Sequence, residues 1–383
     1  MKAVIAIDSF KGSLTSLDAG KAAADGIRRV YPDAETVIRP VADGGEGTVE
    51  ALVSGMNGQF RETEVYDPLG RRIKAKYGIL PDNTAVIEMA AASGITLLSP
   101  TVDAPMYTTT YGTGELILDA VKCGCRSFII GIGGSATNDG GIGCLQALGF
   151  GMLDKNGQQV GYGAKGLSQL VRITDDNVSP ELRQCRFHVA CDVTNPLCGD
   201  NGCSAVFAPQ KGACAASIAI MDTWLREYAE LTKSYNPAAS PDTAGAGAAG
   251  GLGFALMYYL NAKTEPGVQL IMRETKLEEA IKGADIVVTG EGCLDSQTAM
   301  GKAPVGIAKL AKKYGKSVIA FSGAVKSGAE LCNQHGIDAF FPIIRQVSTL
   351  EQAMDRTNAF NNLADTAEQV FRTIELSSQK CSL

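Results

Sequence analysis

The spacing of apolar residues changes twice along this chain, and each change marks a different kind of element. Val4-Ile5-Ala6-Ile7 is a short unbroken apolar run that predicts a buried strand, and Leu17, Ala24, Ile27 and Tyr31 follow at helical spacing as far as Pro32. Ser13, Thr15 and Ser16 stand where that helix needs an N-cap. Thr36-Val37-Ile38 predicts a second strand and residues 47–53 a second helix, giving the order β-α-β-α. From Glu62 the period falls to that of a strand. Residues 62–66, 73–77 and 85–89 alternate in character and are separated by Pro68-Leu69-Gly70 and Pro81-Asp82-Asn83, the pattern of antiparallel hairpins. A helix over 114–122, strands over 128–132 and 187–190, and an Ala/Gly-rich stretch at 244–256 continue this region. Beyond Leu277 the first texture returns, with strands at 285–289, 317–321 and 339–343 alternating with helices at 303–313, 327–334 and 350–372. The expected fold class is α/β, in two unlike domains: a doubly wound domain made of both chain ends, residues 1–65 and 280–383, and a mixed α/β domain, residues 66–279, inserted between them. Residues 377–383 read as a loose tail.

Composition narrows the chemistry. A chain of 383 residues that is 45% apolar exceeds one ordinary core, which agrees with two domains. The net charge of −6, with no dense Lys/Arg run interleaved with aromatics, argues against nucleic acid as a partner. No run approaches the roughly 20 apolar residues that cross a bilayer, and Asp8 interrupts the N-terminus too early for a secretory signal, so no membrane partner and a cytoplasmic location are expected. The 11 cysteines are scattered and read as free thiols. With only two histidines, His188 and His335, a Ser/His/Asp triad or a His-rich metal site has little material, and base chemistry falls to carboxylates or lysine.

The densest chemistry lies in glycine-rich loops after predicted strands. Phe128-Ile129-Ile130 leads into Gly131-Ile132-Gly133-Gly134-Ser135-Ala136-Thr137-Asn138-Asp139-Gly140-Gly141-Ile142-Gly143. Glycines let backbone N–H groups approach phosphate or carboxylate oxygens, and a helix beginning near Cys144 adds a dipole that favours the same charge. Comparable loops occur at Ala42-Asp43-Gly44-Gly45-Glu46-Gly47-Thr48 and at Thr289-Gly290-Glu291-Gly292-Cys293-Leu294-Asp295-Ser296-Gln297, and together they predict one assembled anion site. Asp8, Ser9 and Lys11 sit just past the first strand, where open α/β sheets bind ligands. Asp43 and Glu46 put two carboxylates within four residues, which suits a hydrated Mg²⁺ held between phosphates. Asp192 and Asn195, at a strand end, suit taking and orienting a hydroxyl proton, while Lys211 in a tight Gln-Lys-Gly turn suits neutralising an anion. Lys302 opens a helix downstream of Glu291, Asp295 and Ser296. At each place a capped turn is the competing explanation. The Gly-x-Gly-x-x-Gly string at 245–250 lacks a clear preceding strand, so close helix packing or an anion cradle explains it better than a dinucleotide site.

In order, Asp8-Ser9-Phe10-Lys11, Ala42 to Thr48, Glu88-Met89-Ala90-Ala91-Ala92-Ser93-Gly94, Gly112-Thr113-Gly114-Glu115, the 131–141 loop, Ala190-Cys191-Asp192-Val193-Thr194-Asn195-Pro196, Pro209-Gln210-Lys211-Gly212-Ala213 and Thr289-Gly290-Glu291-Gly292 closely resemble the bacterial glycerate kinase family over nearly the whole chain. The resemblance implies two unlike α/β domains, the doubly wound one flavodoxin-like, and phosphorylation of D-glycerate by ATP with Mg²⁺, with 2-phosphoglycerate the expected product and 3-phosphoglycerate the alternative. An NAD-dependent hydroxy-acid oxidoreductase and a small-acid binding protein are the rivals from other classes. The working assignment gives catalysis to Asp295, Asp192, Lys11 and Lys211, and metal binding to Asp43 and Glu291. It gives substrate or nucleotide binding to Asp8, Ser9, Gly44, Gly45, Gly133, Gly134, Ser135, Asn138, Asp139, Asn195, Gly290, Ser296 and Lys302. Which carboxylate is base and which metal ligand stays open at this point, and so does the oligomeric state. Asp192 and Asn195 are expected to face an interdomain cleft. Two positions depart from the family pattern: Gly12 where glutamate is common, and Cys293 where arginine is usual.

Overall fold

The structure, a computed structural model, describes residues 1–99 and 104–380. Its strands, in chain order, begin with β1 (Lys2–Ile7), β2 (Glu35–Ile38), β3 (Gln59–Tyr66), β4 (Arg72–Ile79), β5 (Thr84–Glu88), β6 (Ser127–Gly131) and β7 (Gly151–Leu153). They continue with β8 (Arg172–Thr174), β9 (Arg186–Ala190), β10 (Lys263–Glu265), β11 (Ile286–Leu294), β12 (Ser317–Val325) and β13 (Ala339–Pro342). The chain divides into two compact units: Met1–Asp43 with Glu50–Met56 and everything from Val268, and Gly44–Val49 with Asn57–Gly267.

The first unit holds a sheet of order β13-β12-β11-β1-β2 in which every pairing is parallel. Counted by first appearance within the unit that order is 2-1-3-4-5, the flavodoxin-like arrangement. A parallel sheet covered on both faces needs strands apolar on both, and Ala3 to Ile7 are all buried. The helices Ser16–Val30 and Arg356–Lys380 pack together over it, joining Ile27 to Leu363, Ala367 and Phe371 in one core. Their approach depends on Gly26, where a Cβ would stand 2.1 Å from the Ala364 carbonyl oxygen.

The second unit holds a mixed sheet of order β10-β9-β6-β5-β4-β3, and β7 pairs with β8 in a separate antiparallel pair. β3, β4 and β5 run antiparallel as the period-two pattern predicts, but β5 then pairs parallel with β6, β6 with β9, and β9 with β10. Around this sheet Phe128 stacks on Phe187 at 4.8 Å, and Tyr77 and Tyr228 are fully enclosed.

Several expected boundaries differ. β3 lies wholly in the second unit's sheet because its full ladder to β4 begins at Gln59↔Ile79, so residues 59–65 do not belong with the first lobe. The helix expected at 327–334 is reduced to Leu331–Gln334, and that expected at 350–372 is two, Leu350–Met354 and Arg356–Lys380, parted by Asp355 in extended conformation. The second continues to Lys380, so the tail expected from 377 is helical at least that far; residues 381–383 lie outside the described residues. No helix among the described residues is long and apolar enough to cross a membrane.

Candidate active site

In the first unit, β1 delivers Asp8 to the carboxyl edge of the sheet. The loop beyond it folds back on itself, with Phe10 and Leu14 exchanging backbone hydrogen bonds at 2.8 and 3.0 Å. Gly12, at φ +76°, makes the turn in a conformation a glutamate would adopt only with strain, which gives its departure from the family pattern a backbone reason. Lys11 is exposed on this turn, and Ser9 donates its amide to Asp8 Oδ1 at 2.6 Å. Asp8 is 7% exposed, and its carboxyl is pushed up to about 7 by burial and by Asp43 and Glu291, against the Ser9 amide and Lys11. The structure thus gathers Asp8, Asp43 and Glu291 in one field.

β11 runs to Leu294, five residues past the predicted strand end, because its ladder to β12 continues through Glu291↔Ser322 and Cys293↔Ala324. Gly290 and Glu291 therefore stand on a strand and not on a loop. Gly290 is needed there, since a Cβ would come within 2.0 Å of the Phe321 carbonyl oxygen. Burial raises the Glu291 carboxyl, and the Thr298 hydroxyl and Lys302 oppose the rise. Thr298, fully buried, donates its hydroxyl to Glu291 Oε1 at 2.5 Å. Asp295 is the N-cap of the short helix Ser296–Ala299, with Oδ1 accepting from the Gln297 and Thr298 amides at 2.9 and 3.1 Å in a capping box. Burial alone would raise its carboxyl, but the Thr298 amide, Lys302 and the Gln297 amide outweigh that and hold it low. This is the capped turn that competed with a catalytic reading. Ser296 is exposed beside Gly328, and Lys302 is the N-cap of the helix Ala303–Lys313, without a side-chain cap bond.

In the second unit, the carboxyl ends of β5, β6 and β9 carry Glu88, Gly131 and Ala190. The segment beginning at Gly44 lies directly on them. A Cβ at Gly131 would meet the Gly44 carbonyl oxygen at 2.5 Å, one at Gly44 would meet Ala190 Cβ at 2.5 Å, and Gly133 sits against Gly45. Glu88 anchors the segment by accepting the Val49 amide at 2.8 Å. Beyond β6, Gly133 and Gly134 are exposed while Ser135 through Asp139 are buried. Asp139 accepts from the Thr110 amide and hydroxyl, both at 2.9 Å, and from the Gly141 and Gly143 amides at 3.0 and 3.3 Å. Its carboxylate is spent on shaping the loop.

Lys211, 6% exposed, donates to Ser135 Oγ and the Thr137 carbonyl, both at 2.7 Å. Burial pushes its ammonium down to about 8, against Cys203 and Asp139. Asn138 donates to Ser204 Oγ at 2.8 Å, while its Oδ1 and the neighbouring Thr137 Oγ1 are buried with no partner. Asp192, exposed, accepts the Gly267 amide at 3.0 Å, and Asn195 donates to the Asn201 carbonyl at 2.9 Å. The glycine string at 245–251 is packing. Gly250, at φ +65°, would place a Cβ 2.0 Å from the Thr137 carbonyl oxygen, and its own carbonyl accepts the Gly140 amide at 2.9 Å. Glu88, quoted in the sequence only within a family-like segment and given no role, is a support, and the residues the sequence reading missed are supports too: Thr298, Thr110 and Ser204. Thr298 was within reach of the capping-box pattern, three residues after Asp295; the others had no local signal.

Among the described residues, no three histidine, cysteine, aspartate or glutamate side chains converge to hold a metal ion. The carboxylates around Asp8 offer oxygen donors of the hard kind, one or two at a time. That fits Mg²⁺, which keeps several waters and shares its remaining positions with phosphates, and does not fit a closed protein cage.

A sequence model of the Glycerate kinase family matches residues 3–375. A glycerate kinase of Haemophilus influenzae is 46% identical over 98% of this chain and 99% of its own. A glycerate 2-kinase of Escherichia coli is 46% identical over 98% of each. A crystal structure described provisionally as glycerate kinase 2 from Salmonella typhimurium LT2 superposes with a TM-score of 0.92 at 45% identity, covering 99% of both chains.

Proposed function

The chain belongs to the glycerate kinase family and is an enzyme of the kinase class, and from that premise we propose that it phosphorylates D-glycerate with ATP and Mg²⁺, giving 2-phosphoglycerate. The observation that carries the reading is that Asp8, at the carboxyl end of β1, is buried in the field of Asp43 and of Glu291 on the neighbouring strand β11, since phosphoryl transfer asks the protein for positioning, charge neutralisation and a base. The relative named glycerate 2-kinase supports the choice of hydroxyl.

Asp43 and Glu291 would hold the metal, which supplies charge neutralisation at the transferring phosphate. Thr298 fixes the Glu291 carboxylate for that task. Asp8, buried at the end of β1 in the field of Asp43 and Glu291, is assigned to take the proton of the attacking hydroxyl. Asp295 keeps its helix cap, and Asp192 remains a candidate for orienting a hydroxyl. Lys11, Lys302 and Lys211 supply positive charge to phosphate or carboxylate oxygens, with Lys211 held in place by Ser135 and Thr137. The exposed backbone at Gly133 and Gly134, with Gly44 and Gly45 packed beside it, lets an anion approach closely. The dinucleotide alternative loses its support, because the 245–251 string is filled by its own packing.

The test is ADP release measured with and without glycerate and Mg²⁺. The reading requires both. ADP formed equally without glycerate would overturn it.

A further inference from the structure

The second unit has a cavity of about 660 Å³ that touches none of the candidate site residues. It opens at the amino ends of β9 and β10, at Arg186 to His188 and Lys263, whereas the candidate site uses the carboxyl end of β9 at Ala190 and Asp192. β9 itself separates Arg186 from Ala190 by about 13 Å at the usual rise per strand residue, and Asp192 lies beyond that end.

Its chemistry has two parts. One wall is aromatic: Tyr235 stacks on Tyr259 with ring centroids 5.1 Å apart, and Phe150 meets Tyr259 edge-on at 5.4 Å. The other part is cationic. Arg183 is paired with Asp175 at 2.9 Å, and Tyr235 also donates to that carboxylate, so this charge is spent. Arg186 and Lys263 remain, both exposed, and neither side chain makes a hydrogen bond or an ion pair among the described residues. Asn261, at φ +51°, turns the chain out of the helix Leu252–Tyr259 so that Lys263 stands at the cavity. A volume in the range of small-molecule sites, an aromatic wall and two unneutralised cations at one opening select a particular class of ligand.

We propose that this cavity is a second binding site, separate from the one that performs phosphoryl transfer, for a small molecule that joins a planar apolar ring to a phosphate, sulfonate or carboxylate group. The ring lies on the Tyr235–Tyr259 wall and the anion meets Arg186 and Lys263. The proposal does not depend on which substrate the enzyme phosphorylates.

The probe is 1-anilinonaphthalene-8-sulfonate, whose fluorescence rises in an apolar site, titrated into the full-length protein. One saturable site is expected, with affinity lowered about tenfold or more in Arg186→Glu/Lys263→Glu, whose two side chains lie on the surface. Near-ultraviolet circular dichroism of that variant checks that the fold is kept. Lys211→Met, which alters the candidate active site, should bind the probe as the wild type does. 1-Naphthyl phosphate should displace the probe, and 1-naphthol or inorganic phosphate alone should do so poorly. Absence of saturable binding, equal affinity in the folded double variant, or loss of binding in Lys211→Met would overturn the proposal, as would displacement by inorganic phosphate as strong as by 1-naphthyl phosphate.

Discussion

Replacing Asp8 by asparagine removes a carboxyl group that is 7% exposed and pushed up to about 7 by burial, Asp43 and Glu291. The ordinary value, 3.8, applies in the unfolded chain. A carboxyl raised on folding contributes its stability in full below the unfolded pKa and loses it as pH rises through the folded one. The span of about three units corresponds to ~4 kcal/mol, of which roughly 2 is already lost at about pH 5 and nearly all by about pH 8. Asparagine does not titrate and keeps an oxygen for the Ser9 amide. Without Mg²⁺, Asp8→Asn should therefore exceed the wild type in stability by ~2 kcal/mol near pH 5 and by ~4 kcal/mol near pH 8. Urea unfolding followed by far-ultraviolet circular dichroism measures the gap, while fluorescence of Trp224 follows the other unit, in which it lies. The same variant should lose turnover by on the order of 10²-fold, since its base is gone. A gap that does not widen with pH would refute the electrostatic reasoning, and near-normal turnover would remove Asp8 from the chemistry.

Four further outcomes follow from the same geometry. Turnover should fall as pH rises through about 8, where Lys211 loses its charge, and Lys211→Arg should move that limb upward; a pH–rate profile reads both. Thr298→Val should raise the Mg²⁺ concentration for half-maximal rate by about tenfold or more, because Glu291 loses the hydroxyl that orients it. Asp295→Ala should cost about 1 kcal/mol in urea unfolding, whereas Asp295→Asn keeps the cap and holds kcat within about a factor of ten; a loss of on the order of 10² in the asparagine variant would return Asp295 to the chemistry. Gly250→Ala should destabilise the second unit by more than about 1 kcal/mol in the Trp224-detected transition, since both its φ and the Thr137 carbonyl oppose a Cβ.

The fold was legible where a segment's own pattern decides its state. The central parallel strands of the first unit begin as apolar runs, Val4 to Ile7 in β1 and Ile286 to Val288 in β11, and β4 alternates, so both kinds of sheet could be read from periodicity. The ends were less legible. β11 outruns its apolar run because β12 offers it partners as far as Val325, and nothing in Gly290-Glu291-Gly292 announces that a neighbour will do so. The long helix Ala215–Tyr235 carries a weak apolar stripe and was not anticipated at all. At the candidate site, the glycine loops and their acids marked the right places, but not which acids are occupied. Asp139 and Asp295 look alike in sequence to Asp8, yet one is saturated by Thr110 and two glycine amides and the other by a helix start. Those partners come from distant segments or from turn geometry, which a residue's identity does not record.

Phosphorus NMR of the product formed from ATP, Mg²⁺ and D-glycerate tests the central claim most directly, because it reads both the transfer and the hydroxyl that receives the group. The account predicts ADP together with a single new phosphate ester on the C2 oxygen, absent when either glycerate or Mg²⁺ is left out. An ester on the C3 oxygen would contradict the assigned regiochemistry, and ADP accompanied by inorganic phosphate alone would contradict glycerate as the acceptor.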